Sequence, residues 1–224
     1  MNQTLLPDMI PGANVVLWGA GGHASVVADI IRESGAFRLV AYFDDTQWSG
    51  KPAFIGDVPV LSTREELPAL LTAGTQAMVI AMGDCPLRMK HAGEALEIGF
   101  KLVTAVHPRA TVATSVTLGA GTVVAAGAVI NPGAVIGDNV IINTSAGVDH
   151  DCVIQSGAHI GPGVHLGGRV RVGEGAWVGI GAVVRDRINI GAGAMIGAGA
   201  VVVRDIPPRV VAYGVPARVI RPMA

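Results

Sequence analysis

The chain has 224 residues, enough for one large or two small domains. Sixteen Lys and Arg against seventeen Asp and Glu leave a formal net charge of −1, which argues against binding to nucleic acid or to an anionic membrane surface. Half of the residues are hydrophobic, but only 4% are aromatic and 31 are glycines, so small side chains must pack in regular layers. No apolar run approaches the ~18 residues of a membrane span, and we expect no membrane insertion.

The first hundred residues alternate between short apolar runs and helical patterns, which is typical of a small, mostly parallel sheet. We predict strands at 14–18, 38–43, 76–82 and 101–106, and helices at 24–34 and 87–98. Residues 1–105 are therefore predicted to form a small α/β, Rossmann-like domain. The two cysteines, Cys85 and Cys152, lie far apart and favour a reduced compartment, the cytoplasm, over a disulfide framework.

A glycine-rich loop follows the first predicted strand, and an acidic pair, Asp44-Asp45, follows the second. The loop reads Gly19-Ala20-Gly21-Gly22-His23. Backbone amides at the start of a helix bind anions, and strand-end carboxylates suit the hydroxyls of a ribose or a base. We favour a nucleotide or nucleotide-sugar site here. One alternative is a loop that only makes a turn. The other is an NAD(P) oxidoreductase, whose full dinucleotide-binding fold would be about twice the size of this domain.

From Val106 onward every sixth residue is aliphatic, seventeen positions out of seventeen, as far as Val202. The fifth position of each hexad is small or β-branched, and glycine often follows the aliphatic residue. A period of six fits neither a helix nor a single strand, but it fits a short strand and a turn, repeated. Three such hexads would close one triangular coil, with one aliphatic side chain inward per hexad and glycine carrying the backbone around the corner.

Three of the six histidines fall in one short stretch of this repeat. Val148 occupies an inward position, so Asp149, His150 and Asp151 are predicted to lie on the outer turn that follows. A histidine between two carboxylates can be held in one tautomer and made a better base. The alternative is a solvated polar turn. His159 and His165 are six residues apart, on successive turns of a coil, so a shared metal would need two subunits, and we expect no metal.

With these motifs in view, the chain as a whole resembles the bacterial nucleotide-amino-sugar N-acetyltransferases of the bacillosamine and perosamine type and their sialic acid O-acetyltransferase relatives. These are hexapeptide-repeat transferases. The resemblance rests on Gly19-Ala20-Gly21-Gly22-His23, Phe43-Asp44-Asp45, Ile80-Ala81-Met82-Gly83-Asp84, Asn143-Thr144-Ser145, Val148-Asp149-His150-Asp151-Cys152 and the Gly-Val-Pro-Ala-Arg ending at 214–218.

The resemblance implies that residues 106–224 form a left-handed parallel β-helix of hexapeptide repeats with a C-terminal cap. It also implies a homotrimer with active sites between subunits, and acetyl-CoA as co-substrate. His150 matches the family's general base and Asp151 the acid that raises its basicity, where relatives often have Glu. The matching acetyl-CoA contacts are His159, Gly168, Ile180 and Ala198. The matching nucleotide-sugar contacts are Gly21, Gly22, His23, Asp44, Asp45 and Gly83.

We therefore expect an acetyl-CoA-dependent N-acetyltransferase that acts on the amino group of a UDP- or GDP-linked amino sugar, by direct attack in a ternary complex. Negative charge from Asp149 and Asp151 favours a sugar ammonium over a neutral hydroxyl. Neither cysteine is expected to carry the acetyl group. Two alternatives stay open: a sugar O-acetyltransferase of the sialic acid type, and a non-catalytic solenoid that binds a nucleotide.

Overall fold

The computed structural model describes residues 12–45 and 53–223. The chain divides into two compact units between residues 108 and 109.

The N-terminal unit is built on a six-stranded sheet with the order β3-β4-β2-β1-β5-β6, in which only the β3–β4 pair is antiparallel. The strands of this sheet are β1 (Ala13–Trp18), β2 (Phe37–Phe43), β3 (Phe54–Ile55), β4 (Val58–Leu61), β5 (Ala77–Ile80) and β6 (Lys101–Leu102), and the unit also contains β7 (Ala105–Val106), which lies outside this sheet. Its helices are α1 (Gly22–Ser34), α2 (Leu67–Thr72) and α3 (Cys85–Ile98), with a 3₁₀ turn at Arg64–Glu66 before α2.

The predicted helices and strands of this unit are confirmed with shifted ends. Helix α1 ends at Gly35 in the left-handed conformation, with φ 62°. Helix α3 begins two residues earlier than predicted, because the Asp84 carboxylate accepts the amide of Leu87 at 2.8 Å as an N-cap. The segment 101–106 forms two short strands instead of one. The short hairpin β3–β4 and helix α2 carry no strong pattern and were not predicted.

A buried cluster lies on one face of the sheet and holds its strands together. Val16 and Trp18 of β1 contribute to it, together with Phe43 of β2 and Ile80 of β5. Leu67 of α2 packs into the same cluster. Because β1, β2 and β5 are parallel, this packing brings their carboxyl ends to one edge of the sheet.

The C-terminal unit is a parallel β-helix of two-residue strands arranged on three faces. One face holds β10 (Val123–Val124), β13 (Ile141–Ile142), β16 (His159–Ile160), β19 (Trp177–Val178) and β22 (Met195–Ile196). The second holds β8 (Thr111–Val112), β11 (Val129–Ile130), β14 (Gly147–Val148), β17 (His165–Leu166), β20 (Val183–Val184) and β23 (Val201–Val202). The third holds β9 (Thr117–Leu118), β12 (Val135–Ile136), β15 (Val153–Ile154), β18 (Arg171–Val172) and β21 (Asn189–Ile190).

The strands pair in register with partners 18 residues away, as in Gly147 with His165 and His165 with Val183. Three hexads per coil is therefore confirmed. The second residue of each strand points inward, and Ile130, Ile142 and Ile154 are at most 1% exposed.

The glycine that follows the inward residue does not make the corner, contrary to the prediction. Gly167 has an ordinary φ, but a Cβ there would lie 2.7 Å from the backbone nitrogen of Asp186 in the next coil. The coils stack too closely at this point for a side chain. The left-handed residue that turns the chain comes two positions later, as at Arg169 with φ 62° or Gly133 with φ 76°.

An antiparallel hairpin of β24 (Val210–Gly214) and β25 (Ala217–Pro222) closes the β-helix, with β24 parallel to β22. The predicted C-terminal cap is this hairpin. In the described part of the chain, no helix is both long enough and apolar enough to cross a membrane.

The inward hexad positions should carry the stability of the β-helix. Ile136 is 1% exposed and its strand neighbour Val135 is 46% exposed. Ile136→Ala should lower the free energy of unfolding by about 2–5 kcal/mol, because it removes buried methyl groups and leaves a cavity. Val135→Ala is the matched control and should cost less than half as much. Urea denaturation at one protein concentration measures both, and equal losses would contradict the inward assignment.

Candidate active site

A groove with a volume of about 810 Å³ runs along the second face of the β-helix and its corners. It contains His150, which the sequence singled out as a base, and His165. The lining residues are Gly127, Val129, Asn131, 145–150, 165–169 and 183–187.

His150 and Asp151 form a hydrogen-bonded pair on the outer turn after the inward Val148. The imidazole Nδ1 lies 2.9 Å from Asp151 Oδ2, and both side chains are about half exposed. Because a carboxylate only accepts, Nδ1 carries the hydrogen and Nε2 keeps the lone pair. The hydrogen bond from His150 lowers the pKa of Asp151, and Arg169, with Nε at 3.6 Å, lowers it further. This arrangement leaves His150 Nε2 able to accept a proton while Asp151 holds the orientation of the ring.

Asp149 stabilises the turn instead of contacting the imidazole. Its Oδ1 accepts the backbone amide of His150 at 2.8 Å and the side-chain amide of Asn131 at 3.0 Å. These two hydrogen bonds, the first more than the second, lower the pKa of Asp149. Asn131 was missed from the sequence, although it lies 18 residues, one coil, before Asp149. Both carboxylates beside His150 are therefore ionised at neutral pH.

Gly168 lies beneath the His150 ring in the next coil. A Cβ on Gly168 would stand 2.6 Å from Nε2 and 2.8 Å from Cε1 of that ring. Five backbone amides around the two histidines of the groove donate hydrogen bonds within the protein. They are the amides of Gly147, Asp149, His150, His165 and Gly167. Within the described residues, the Gly168 amide has no such partner, and Gly168 is buried beneath the His150 ring.

The other predicted acetyl-CoA contacts lie outside the groove. His159 is on the first face, 5% exposed, stacked on Trp177 at 4.7 Å, and its Nε2 accepts from Asn143 Nδ2 at 3.1 Å. Ile180 and Ala198 are exposed at one corner in consecutive coils. The structure therefore places only Gly168 of this set beside His150 in the chain described.

Both cysteines are free thiols in the interior. Burial raises the pKa of Cys152 to about 11, and burial also raises the pKa of Cys85. Both are protonated at neutral pH and poor nucleophiles, in agreement with the prediction that neither carries the acetyl group. His159 and His165 lie on different faces of the β-helix. Among the residues that the structure describes, no group of three or more His, Cys, Asp or Glu is placed to hold a metal ion.

In the N-terminal unit, the loops after the parallel strands β1, β2 and β5 lie at one edge of the sheet. This is where the strand order reverses about β1, the usual ligand position in such sheets. Every predicted nucleotide-sugar contact lies in these loops or at the start of α1. Gly19 must be glycine, since its φ is 122° and a Cβ would lie 2.8 Å from the carbonyl oxygen of Ala81. Gly21 and Gly22 have no heavy atom near their missing side chains, so their backbone is open to a ligand.

The two acids at the end of β2, Asp44 and Asp45, differ in their hydrogen bonds. Asp44 is 5% exposed and its Oδ2 accepts the amide of Ala20 at 3.1 Å, so it holds the glycine loop. Asp45 Oδ2 accepts from Arg64 Nε at 2.6 Å, while its Oδ1 is buried without a hydrogen-bond partner among the described residues. Asp45 is the acid better placed to accept a ligand hydroxyl. Arg64, which also pairs with Glu94 at 3.1 Å, had no sequence signal.

His23, at the start of α1, has a pKa lowered to about 4 by burial and then by the charge of Arg88. Arg88 is 1% exposed and donates to the carbonyl oxygens of Met82 at 3.0 Å and Gly83 at 2.9 Å. It therefore fixes the loop after β5. His23 is neutral at pH 7.

The fold and the groove define a hexapeptide-repeat transferase. Two family models match: the PglD N-terminal domain over residues 14–95 and the bacterial transferase hexapeptide (six repeats) over residues 169–204. The GDP-perosamine N-acetyltransferase of Caulobacter crescentus, solved with CoA and GDP-perosamine, is 43% identical with a TM-score of 0.87, covering 93% of this chain and 97% of that one.

The acetyltransferase domain of PglB from Neisseria gonorrhoeae, solved with acetyl coenzyme A, is 37% identical with a TM-score of 0.86, covering 93% of this chain and all of that one. The UDP-N-acetylbacillosamine N-acetyltransferase of Bacillus subtilis is 41% identical over 113 residues, so this match spans about half the length of the curated relative. The chain belongs to this family of nucleotide-amino-sugar N-acetyltransferases, members of which were solved with CoA or acetyl coenzyme A bound.

The lowered pKa of His23 predicts a loss of stability in acid. Between pH 6.5 and about 4, His23 is mostly protonated in the unfolded chain and mostly neutral in the folded chain. The free energy of unfolding therefore falls as the pH falls. From pH 7 to pH 5 the wild type should lose about 1–2 kcal/mol more than His23→Gln. Urea denaturation at the two pH values measures this, and an equal loss in both proteins would refute it.

Proposed function

We propose that the protein transfers the acetyl group of acetyl-CoA to the amino group of a nucleotide-linked amino sugar, with UDP or GDP as the nucleotide. The observation that carries the proposal is the His150 Nδ1–Asp151 Oδ2 hydrogen bond of 2.9 Å in the groove. The relative solved with CoA and GDP-perosamine supports the substrate class, and it was solved as variants in which one histidine is replaced.

In this mechanism the substrate amine attacks the thioester carbonyl directly in a ternary complex. His150 Nε2 takes the proton from the amine as the C–N bond forms. The C–S bond then breaks, and the proton passes from His150 to the departing thiolate, giving the amide and CoA. The amide of Gly168 donates to the oxygen that becomes negative in the tetrahedral intermediate.

The two carboxylates have separate tasks. Asp151 holds the imidazole with Nε2 as acceptor and stabilises the imidazolium that forms. Asp149 stabilises the turn and adds negative charge, which attracts a sugar ammonium. The ammonium releases one proton to solvent to give the attacking amine, and the second proton is the one that His150 takes.

The nucleotide of the acceptor binds to the loops that follow β1, β2 and β5 in the N-terminal unit. Its phosphates take the open amides of Gly21 and Gly22 at the start of α1, and Asp45 Oδ1 accepts a hydroxyl or base N–H. His23 and Gly83 complete this site. Acetyl-CoA binds along the β-helix with contacts to His159, Gly168, Ile180 and Ala198.

We infer that the active unit is a homotrimer with sites between subunits, as the resemblance implies. The free thiols and the use of acetyl-CoA support a cytoplasmic location. The product would enter surface glycan synthesis, such as that of lipopolysaccharide.

His150→Asn should lower kcat about 10²-fold or more, because it removes the base while keeping size and polarity. The Kd for acetyl-CoA should stay within twofold of the wild type by isothermal titration. Turnover near that of the wild type would mean that the amine enters already deprotonated and that His150 only positions it.

Asp45→Asn should raise the KM for the nucleotide sugar about tenfold and leave the KM for acetyl-CoA unchanged, because it weakens one charge-assisted hydrogen bond. Asp57→Asn, at an exposed acid of the same unit, is the control and should change neither constant. Equal effects of Asp45→Asn on both substrates would place the nucleotide elsewhere.

A further inference from the structure

The first residue of each β-helix strand points outward and almost always carries a side chain. Among the sixteen strands β8–β23, Gly147 is the only glycine at this position. The others are Val, Ile, Thr, Asn, His, Arg, Trp or Met. The backbone at this position therefore needs no glycine, and Gly147 requires a local explanation.

The explanation lies one coil further on, where Gly147 pairs in register with His165. A Cβ on Gly147 would stand 2.7 Å from Nδ1 and 3.4 Å from Cε1 of the His165 ring. The imidazole thus leans back over Gly147 and occupies the space that a side chain would take. Any larger residue at 147 would displace the ring.

The same arrangement surrounds His150. Gly168 lies at the second position after an inward residue, and at the fourteen such positions from Ala120 to Ala198 it is the only glycine. Ala, Pro, Thr and Ile are all accepted there. A Cβ on Gly168 would stand 2.6 Å from His150 Nε2. The ring of each of the two histidines in the groove therefore packs against a glycine in a neighbouring coil. Each of these glycines is the only glycine among the positions compared with it.

No polar contact of the His165 side chain within the described residues explains why a histidine stands at this position. Its side chain is exposed in the groove, and within the described residues neither ring nitrogen makes a hydrogen bond or ion pair. His159, at the same repeat position, is by contrast buried, stacked on Trp177 and hydrogen-bonded to Asn143. A histidine with space made for it and no partner in the protein is placed for a ligand.

We propose that His165 contacts the substrate, with Gly147 as the positioning residue that makes room for its ring. The Nδ1 edge faces Gly147, so Nε2 is the atom that hydrogen-bonds an oxygen of the substrate. That oxygen is an amide carbonyl of the pantetheine arm or a hydroxyl of the acceptor sugar. The proposal rests on the function proposed above and adds a residue to the same groove.

Three variants test it: His165→Ala, Gly147→Ala and the double variant. His165→Ala should raise the KM for one substrate about tenfold with kcat within twofold. Gly147→Ala should reproduce this effect by displacing the ring, and the double variant should be no weaker than His165→Ala. Isothermal titration with CoA alone and with the UDP- or GDP-amino sugar alone identifies which substrate supplies the oxygen.

Arg171→Ala is the control, at the same repeat position on another face, and should change neither KM nor Kd. Unchanged KM and Kd values for both substrates in His165→Ala would overturn the proposal, as would a Gly147→Ala effect that adds fully to that of His165→Ala. If the wild type transfers no acetyl group, the proposed function fails. The CoA and nucleotide-sugar titrations of His165→Ala then decide the role of His165, a tenfold weaker Kd supporting it and unchanged values refuting it.

Discussion

The 18-residue coil register of the β-helix is the constraint on which the rest of the active groove depends. It places each side chain of an outer turn against the residue one coil away. Asn131 reaches Asp149 at 3.0 Å, and a Cβ on Gly168 would collide with His150. A one-residue insertion between these coils would separate every such pair, so an unbroken repeat is a requirement of the chemistry as well as of the core.

Asp151 adopts an unfavourable backbone conformation at this site. It is one of five β-helix corner residues other than glycine before the C-terminal cap with a left-handed φ, here 58°, while nine corners use glycine. A residue with a Cβ in this conformation costs about 1 kcal/mol, although Asp bears it better than most. The conformation brings the carboxylate beside the imidazole on the same turn. Strain at this residue is thus consistent with a functional position.

The sequence predicts whatever depends on period or on local backbone chemistry. The hexads specify three strands per coil, and the glycine loop and Gly35 specify the start and end of α1. Contacts made only by tertiary packing could not be predicted: Arg64 meets Asp45 across 19 residues, and the carboxylate of Asp44 turns to the amide of Ala20. The glycines that follow the inward residues were assigned to the corners for the same reason. The sequence pattern alone does not distinguish a glycine needed for a turn from one needed where two coils approach closely.

In the proposed reaction an amine, held beside His150, accepts the acetyl group. Incubation of the wild-type protein with acetyl-CoA and UDP- or GDP-linked amino sugars, followed by mass spectrometry before and after mild hydroxylamine, tests it most directly. We expect release of CoA and a sugar with one added acetyl group that survives hydroxylamine, as an amide does. An acetyl group removed by hydroxylamine would identify an ester, and no acetyl transfer to any of these sugars would contradict the proposed function.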